Sequence, residues 1–195
     1  MLITSGKGDI ASSANTAENI LLQDANTDWT IVTKLVSSRI PMRSENAGIL
    51  TSQDDDNYVK LVYRASNARR GFGATAGTVE PSGSVELITE NGATQKSLAI
   101  FSLDGKLKDK NTVVLKLERK GNLYTASCSA DGVKFEQVGI ANSVLKESKA
   151  GLIVCDGPPA RQGNGQRNAQ PTTNQPDAPL EVAFDYFHIT SNGQK

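Results

Sequence analysis

Residues 113–129 read VVLKLERKGNLYTASCS. Apolar and polar side chains alternate through 113–119 and again through 123–129, with Lys120, Gly121 and Asn122 between the two runs. Period-2 alternation marks a strand with one buried face. Gly121-Asn122 supplies the positive φ values that a tight turn demands. The stretch predicts a β-hairpin, and the same pattern recurs along the chain. Strands are predicted over 19–23, 29–37, 47–53, 58–65, 84–89, 97–101, 112–119, 123–129, 151–156 and 181–191. Asn91-Gly92, Asp104-Gly105 and Asp131-Gly132 mark further turns. No segment sustains a 3.6-residue apolar stripe, and 12–18 and 142–149 offer a helical turn each at most. Many short strands without helices between them imply antiparallel pairing, because parallel strands need long crossovers. Two sheets packed face to face is the architecture this predicts.

The chain has 195 residues, with 21 Lys+Arg against 21 Asp+Glu. A zero balance speaks against a nucleic acid partner, whose phosphates call for concentrated positive charge. No apolar run reaches the ~20 residues that span a bilayer, so no membrane partner is expected. The opening MLITSGKGDI lacks the apolar stretch of a secretory signal. Cys128 and Cys155 do not form a metal-ligand spacing, and His188 is the one histidine. A triad or a histidine-rich zinc site is therefore not supported. The two cysteines, each in a predicted strand, are expected to be buried thiols. Residues 157–179 hold five of the seven prolines and no Ile, Leu, Val, Phe, Tyr or Trp. They cannot build a core, so they predict a long irregular loop inside one sandwich domain spanning 1–195. If that loop shapes a binding rim, Arg161 and Arg167 are its contacting groups.

Within 58–64, Val59, Leu61 and Tyr63 share one face and Tyr58, Lys60, Val62 and Arg64 the other. The first set reads as core and the second as a solvated surface. In 84–89, Val85 and Leu87 turn inward and Glu86 outward. Gln53, Lys60, Arg64 and Glu86 would then share a face of amide, cations and carboxylate that suits a hydroxyl-rich ligand. It is also what any solvated sheet face looks like. The following stretch, NARRGFG at 67–73, adds Arg69, Arg70 and Phe72 in a glycine-flexed loop. The carbohydrate-site expectation is thus Gln53, Tyr58, Lys60, Arg64, Arg69, Arg70, Phe72 and Glu86. The run Asp54-Asp55-Asp56 reads as a turn bonding its own backbone, with a calcium loop as the alternative. Adjacent carboxylates fit poorly the facing pair that glycosidase chemistry needs.

Several motifs, taken in order, resemble a known family. They are Asp28-Trp29-Thr30; Asn46-Ala47-Gly48-Ile49-Leu50; and Asp54-Asp55-Asp56-Asn57-Tyr58-Val59-Lys60-Leu61. The hairpin Val114-Leu115-Lys116-Leu117-Glu118-Arg119 follows, with Tyr124 and Ser129-Ala130-Asp131-Gly132-Val133-Lys134-Phe135. Ala150-Gly151-Leu152-Ile153 and Phe184-Asp185-Tyr186-Phe187 complete the set. Together, across 19–189, they resemble the concanavalin A-like sandwich domains at the C-termini of family 43 β-xylosidases and related accessory domains of bacterial polysaccharide-degrading enzymes. The resemblance implies an all-β, two-sheet antiparallel jelly roll. The loop at 157–179 departs from the family pattern.

The function so implied is a non-catalytic carbohydrate-binding or accessory module of a secreted or periplasmic glycoside hydrolase. Its partners would be a plant or microbial polysaccharide and a catalytic domain of the same chain. One alternative is a structural domain that completes a neighbouring active site without binding glycan. Another is a stand-alone glycosidase, although no E-x-D-x-x-E strand motif is present. The resemblance also implies one structural Ca²⁺ held by Asp185, and Asp9, in the stretch Gly8-Asp9-Ile10, is the candidate second ligand. A plain ion pair at Asp185 competes with it, and the rings of Phe184 and Tyr186 are expected on the face opposite Asp185.

Overall fold

The computed structural model describes residues 1–12, 14–42, 44–66, 82–107, 111–157 and 178–192. Every regular element among them is a strand. In chain order these are β1 (Leu2–Thr4), β2 (Ile10–Ala11), β3 (Ala14–Asn15), β4 (Ile20–Asp24), β5 (Trp29–Ser37), β6 (Asn46–Asp54) and β7 (Asn57–Ala65). They continue as β8 (Gly83–Asn91), β9 (Thr94–Ser102), β10 (Thr112–Lys120), β11 (Leu123–Ser129), β12 (Glu136–Asn142), β13 (Lys149–Cys155) and β14 (Glu181–Ser191). The first sheet runs β1-β14-β5-β10-β11-β12 and the second β4-β13-β6-β7-β8-β9. All pairings within the two sheets are antiparallel. This is the two-sheet jelly-roll sandwich that the sequence predicts.

The core lies between the sheets. β5 buries Trp29, Ile31, Thr33 and Leu35 in strict alternation. They face Ala47 and Ile49 of β6 and Val59, Leu61 and Tyr63 of β7 in one apolar cluster, as the alternation requires. The hairpin that opened the sequence reading is present as β10 and β11, with Gly121 at φ 58° in the turn. Two glycines let strands approach where no side chain fits. A Cβ at Gly48 would stand 2.2 Å from the Leu61 carbonyl oxygen, and one at Gly151 1.9 Å from that of Leu21. Arg119, the last inward residue of β10, gives its guanidinium to the carbonyls of Ala25, Gly121 and Leu145 and so ties both sheets to their connecting loops.

The outer faces of the two sheets differ. That of the second sheet is not solvated. Leu50, Tyr58, Val62, Ile88, Ile153 and Cys155 form a second buried cluster with Ile10 of β2. Residues 5–12 and 14–19 run across this face, where the sequence offered a helical turn. Gly6 bridges to Cys155 and Gly8 to Gly157, and β2 and β3 form a small hairpin above β7 and β8. The outer face of the first sheet carries no such strap among the described residues. It is partly walled by the turn at 130–135, which lies over Val114.

Candidate functional site

The expectation of a solvent-facing polar surface on β7 and β8 is corrected. Tyr58 is 0 % exposed, Lys60 1 % and Glu86 4 %. The strap supplies the partner of Lys60, and the neighbouring strands supply those of Tyr58 and Glu86. Lys60 Nζ reaches Asp9 Oδ1 at 3.0 Å, and Asp9 also accepts the Ile10 N–H at 2.8 Å. Tyr58 donates to Glu90 at 2.7 Å and accepts from Gln95 at 2.9 Å, while the Ser12 N–H reaches the same Glu90 oxygen at 3.0 Å. Burial first, and then the Glu90 carboxylate, hold the Tyr58 phenol well above its ordinary pKa. Arg64 pairs with Glu86 at the rim of the strap, half-buried. Gln53 is exposed and apart from these groups. It is the extra residue of a bulge in β6, donating to Asp54 and accepting the Lys146 N–H. Arg69, Arg70, Phe72, Arg161 and Arg167 lie outside the described residues.

The two aspartates read as calcium ligands do not meet. Asp9 is buried against the outer face of the second sheet. Asp185 is exposed on the first sheet, where it pairs with Lys34 at 2.6 Å. That hydrogen bond is the main reason the Lys34 ammonium titrates above its ordinary value. Among the described residues no three His, Cys, Asp or Glu side chains gather as a metal site. Asp54 caps its own turn, accepting from the Asp56 N–H and the Asn57 amide, as a turn aspartate does. The cysteines are both buried free thiols, in different clusters, and burial pushes each up to about 12.

A bulge between Phe184 and Tyr186 makes Asp185 an extra residue and reverses the parity of β14. Phe184 stays in the core, and Phe187 and Ile189 pack against it. Tyr186 and His188 therefore turn outward, correcting the expectation that the Tyr186 ring lies on the core side with Phe184. Their rings stack with centroids 5.0 Å apart and planes at 26°. Register places His188 beside Val32 of β5, and Val32 beside Lys116 of β10. Lys116 Nζ stands 4.7 Å from the centre of the Phe135 ring. Thr30, Thr190 and Thr125 line the next row of the same face. The missed residues are thus Tyr186, His188, Lys116 and Phe135. The signal for the first two is the spacing of Phe184 and Phe187, which a regular strand cannot bury on one side.

No family model matches the chain, and a search of curated proteins returns no match. Solved structures share its fold. The chain is similar over 97 % of its length to a family 43 glycoside hydrolase from Bacillus licheniformis, at 15 % identity and a TM-score of 0.66. It is similar over 97 % to a xylan β-1,4-xylosidase from Bacillus halodurans, at 13 % identity and TM-score 0.62. It covers 32 % of each of those chains, the share that a C-terminal sandwich domain fits. A functionally unknown protein from Saccharomyces cerevisiae matches at 14 % identity and TM-score 0.61, and there 85 % of the other chain is covered. The family resemblance read from the motifs is thus matched in the fold.

Proposed function

We propose that this chain is a non-catalytic accessory module that binds carbohydrate, within or beside an exported glycoside hydrolase that degrades polysaccharide. The observation that carries the reading is the outer face of the first sheet, which presents paired aromatic rings among hydroxyl, ammonium and carboxylate groups. Sugar recognition needs ring faces for the apolar side of a pyranose and a few polar groups for its hydroxyls. The fold shared with part of the family 43 enzymes supports the context. The buried carboxylates among the described residues serve the fold. Asp9, Glu45 and Glu86 are each matched to a cation, and Glu90 accepts from Tyr58 and a backbone N–H through one of its two oxygens.

A second reading, structural support of a neighbouring catalytic domain, is favoured by the edge of the sandwich where β1 and β14 meet β4 and β13. There Met1, Leu21, Leu152 and Phe187 line an apolar groove of about 250 Å³, and Leu2 is 64 % exposed. Affinity electrophoresis and calorimetry against a panel of plant and microbial polysaccharides separate the readings. Retention by a glycan supports the first. No retention, with the chain instead co-migrating with a separately expressed catalytic domain, supports the second. Release of reducing sugar by the chain alone overturns both in favour of a stand-alone glycosidase.

A further inference from the structure

The open face of the first sheet has a direction and a charge, and both narrow the ligand. His188, Val32 and Lys116 are register partners on adjacent strands. Strands lie 4.7–4.9 Å apart, so the ring pair and Lys116 are separated by about 10 Å, the reach of a disaccharide. Phe135, packed on Lys116, closes that row at its far side. The turn carrying it is fixed: Asp131 accepts the N–H groups of Val133 and Lys134, and Ser129 accepts that of Gly132. Those backbone donors hold the Asp131 carboxyl down at about 2. The row is therefore bounded by aromatic rings at both ends and floored by Val32 and the Lys116 stem.

The nearest charges do not cancel. Lys34 is matched by Asp185 and Lys120 by Glu118, at 2.6 and 3.0 Å. Lys116, between the two aromatic positions, has no carboxylate partner among the described residues and lies over the Phe135 ring. A cation held over an aromatic ring, with no carboxylate paired to it, is open to an anion from outside.

Building on the carbohydrate reading above, we infer that this face binds an acidic glycan laid across the strands. A pyranose packs on the Tyr186–His188 pair, and a uronic acid carboxylate lies against Lys116 and Phe135. The hydroxyls of Thr30, Thr125 and Thr190 flank the path.

The test uses glucuronoxylan and the same polymer after carboxyl reduction, in affinity electrophoresis of the full chain. The wild type is expected to be retained by the native polymer and about tenfold less by the reduced one. The double change Tyr186→Ala, His188→Ala is expected to weaken retention by both polymers by about tenfold, with Tm confirming that the sandwich remains folded. Lys116→Met keeps the stem and removes the charge. It is expected to abolish the preference for the native polymer while sparing binding to the reduced one. Equal retention of both polymers by the wild type overturns the acidic class. Full retention by the folded double variant overturns the location and leaves the carbohydrate reading standing. No retention of any polysaccharide by the wild type overturns both. Self-association through this face, reduced in the double variant and with no glycan bound, does the same.

Discussion

Replacing Asp9 by alanine tests whether the strap that carries it seals the outer face of the second sheet. Lys60 is 1 % exposed, and Asp9 is its single ion-pair partner among the described residues, at 3.0 Å. The Tyr58 ring, 5.6 Å from the ammonium, is its other neighbour of note. Removing one partner of a buried pair leaves an uncompensated charge, at a cost of about 3–5 kcal/mol. That is a large share of the 5–15 kcal/mol typical of a domain. Lys60→Met should cost less, about 1–3 kcal/mol, because the Asp9 carboxylate keeps the Ile10 N–H. The double change Asp9→Leu, Lys60→Met replaces the pair by apolar volume and should return to within about 1 kcal/mol of the wild type. Urea unfolding followed by the fluorescence of Trp29 reads all three, since it is the one tryptophan and 1 % exposed. If Asp9→Ala falls within about 1 kcal/mol of the wild type, the pair is solvated. Tyr58, Lys60 and Glu86 then return to an open surface.

Gly151→Ala sets a Cβ 1.9 Å from the Leu21 carbonyl oxygen, so β4 and β13 must part. A loss of about 3 kcal/mol or more is expected, read by the same urea titration, and a loss below 1 kcal/mol would contradict the strand spacing. Both thiols should resist a thiol reagent in the native protein and react fully once unfolded in urea without reductant; absence of labelling after unfolding would mean a disulfide. Their raised values, about 12 each, also fix a sign. The unfolded chain loses these protons first, from about pH 8.5, so stability is full below that pH and declines as pH rises toward 12. Replacing both cysteines by alanine should flatten that decline. For calcium, the Lys34 pair at Asp185 predicts a Tm indifferent to added Ca²⁺ and to EDTA. A calcium-dependent rise that Asp185→Asn abolishes would restore the metal.

The strands and the inner faces were legible because one face of each strand meets the core and the other does not. Trp29, Ile31 and Leu35 announce this by spacing alone. The second sheet was harder, since its central strands are buried on both sides. The signal was present in the unbroken apolar runs AGIL at 47–50 and LVY at 61–63, which lack the clean alternation of a half-solvated strand. Lys60 and Glu86 masked it, because a charge on a strand ordinarily points to water. Their partners Asp9 and Arg64 are supplied across the fold or across the strand, which no local pattern reports. The ring pair on β14 was hidden for a different reason. One inserted residue at Asp185 shifts every later side chain to the opposite face, and strict alternation assigns Tyr186 wrongly once that insertion is overlooked.

The place of β5 in the first sheet bears on how the chain comes to be folded. This strand, at 29–37, precedes both its neighbours by a long stretch of sequence, since they are β10, at 112–120, and β14, at 181–191. During synthesis it waits with both edges unpaired and with Trp29, Ile31 and Leu35 uncovered until β10, and then β14, has been made. Such long-range pairing is slow, on the order of milliseconds to seconds. An apolar strand with two open edges is, over that interval, a template for another chain. Overexpression should therefore favour aggregates seeded at β5. Slowing chain production or lowering temperature should raise soluble yield more than any stabilisation of the finished sandwich.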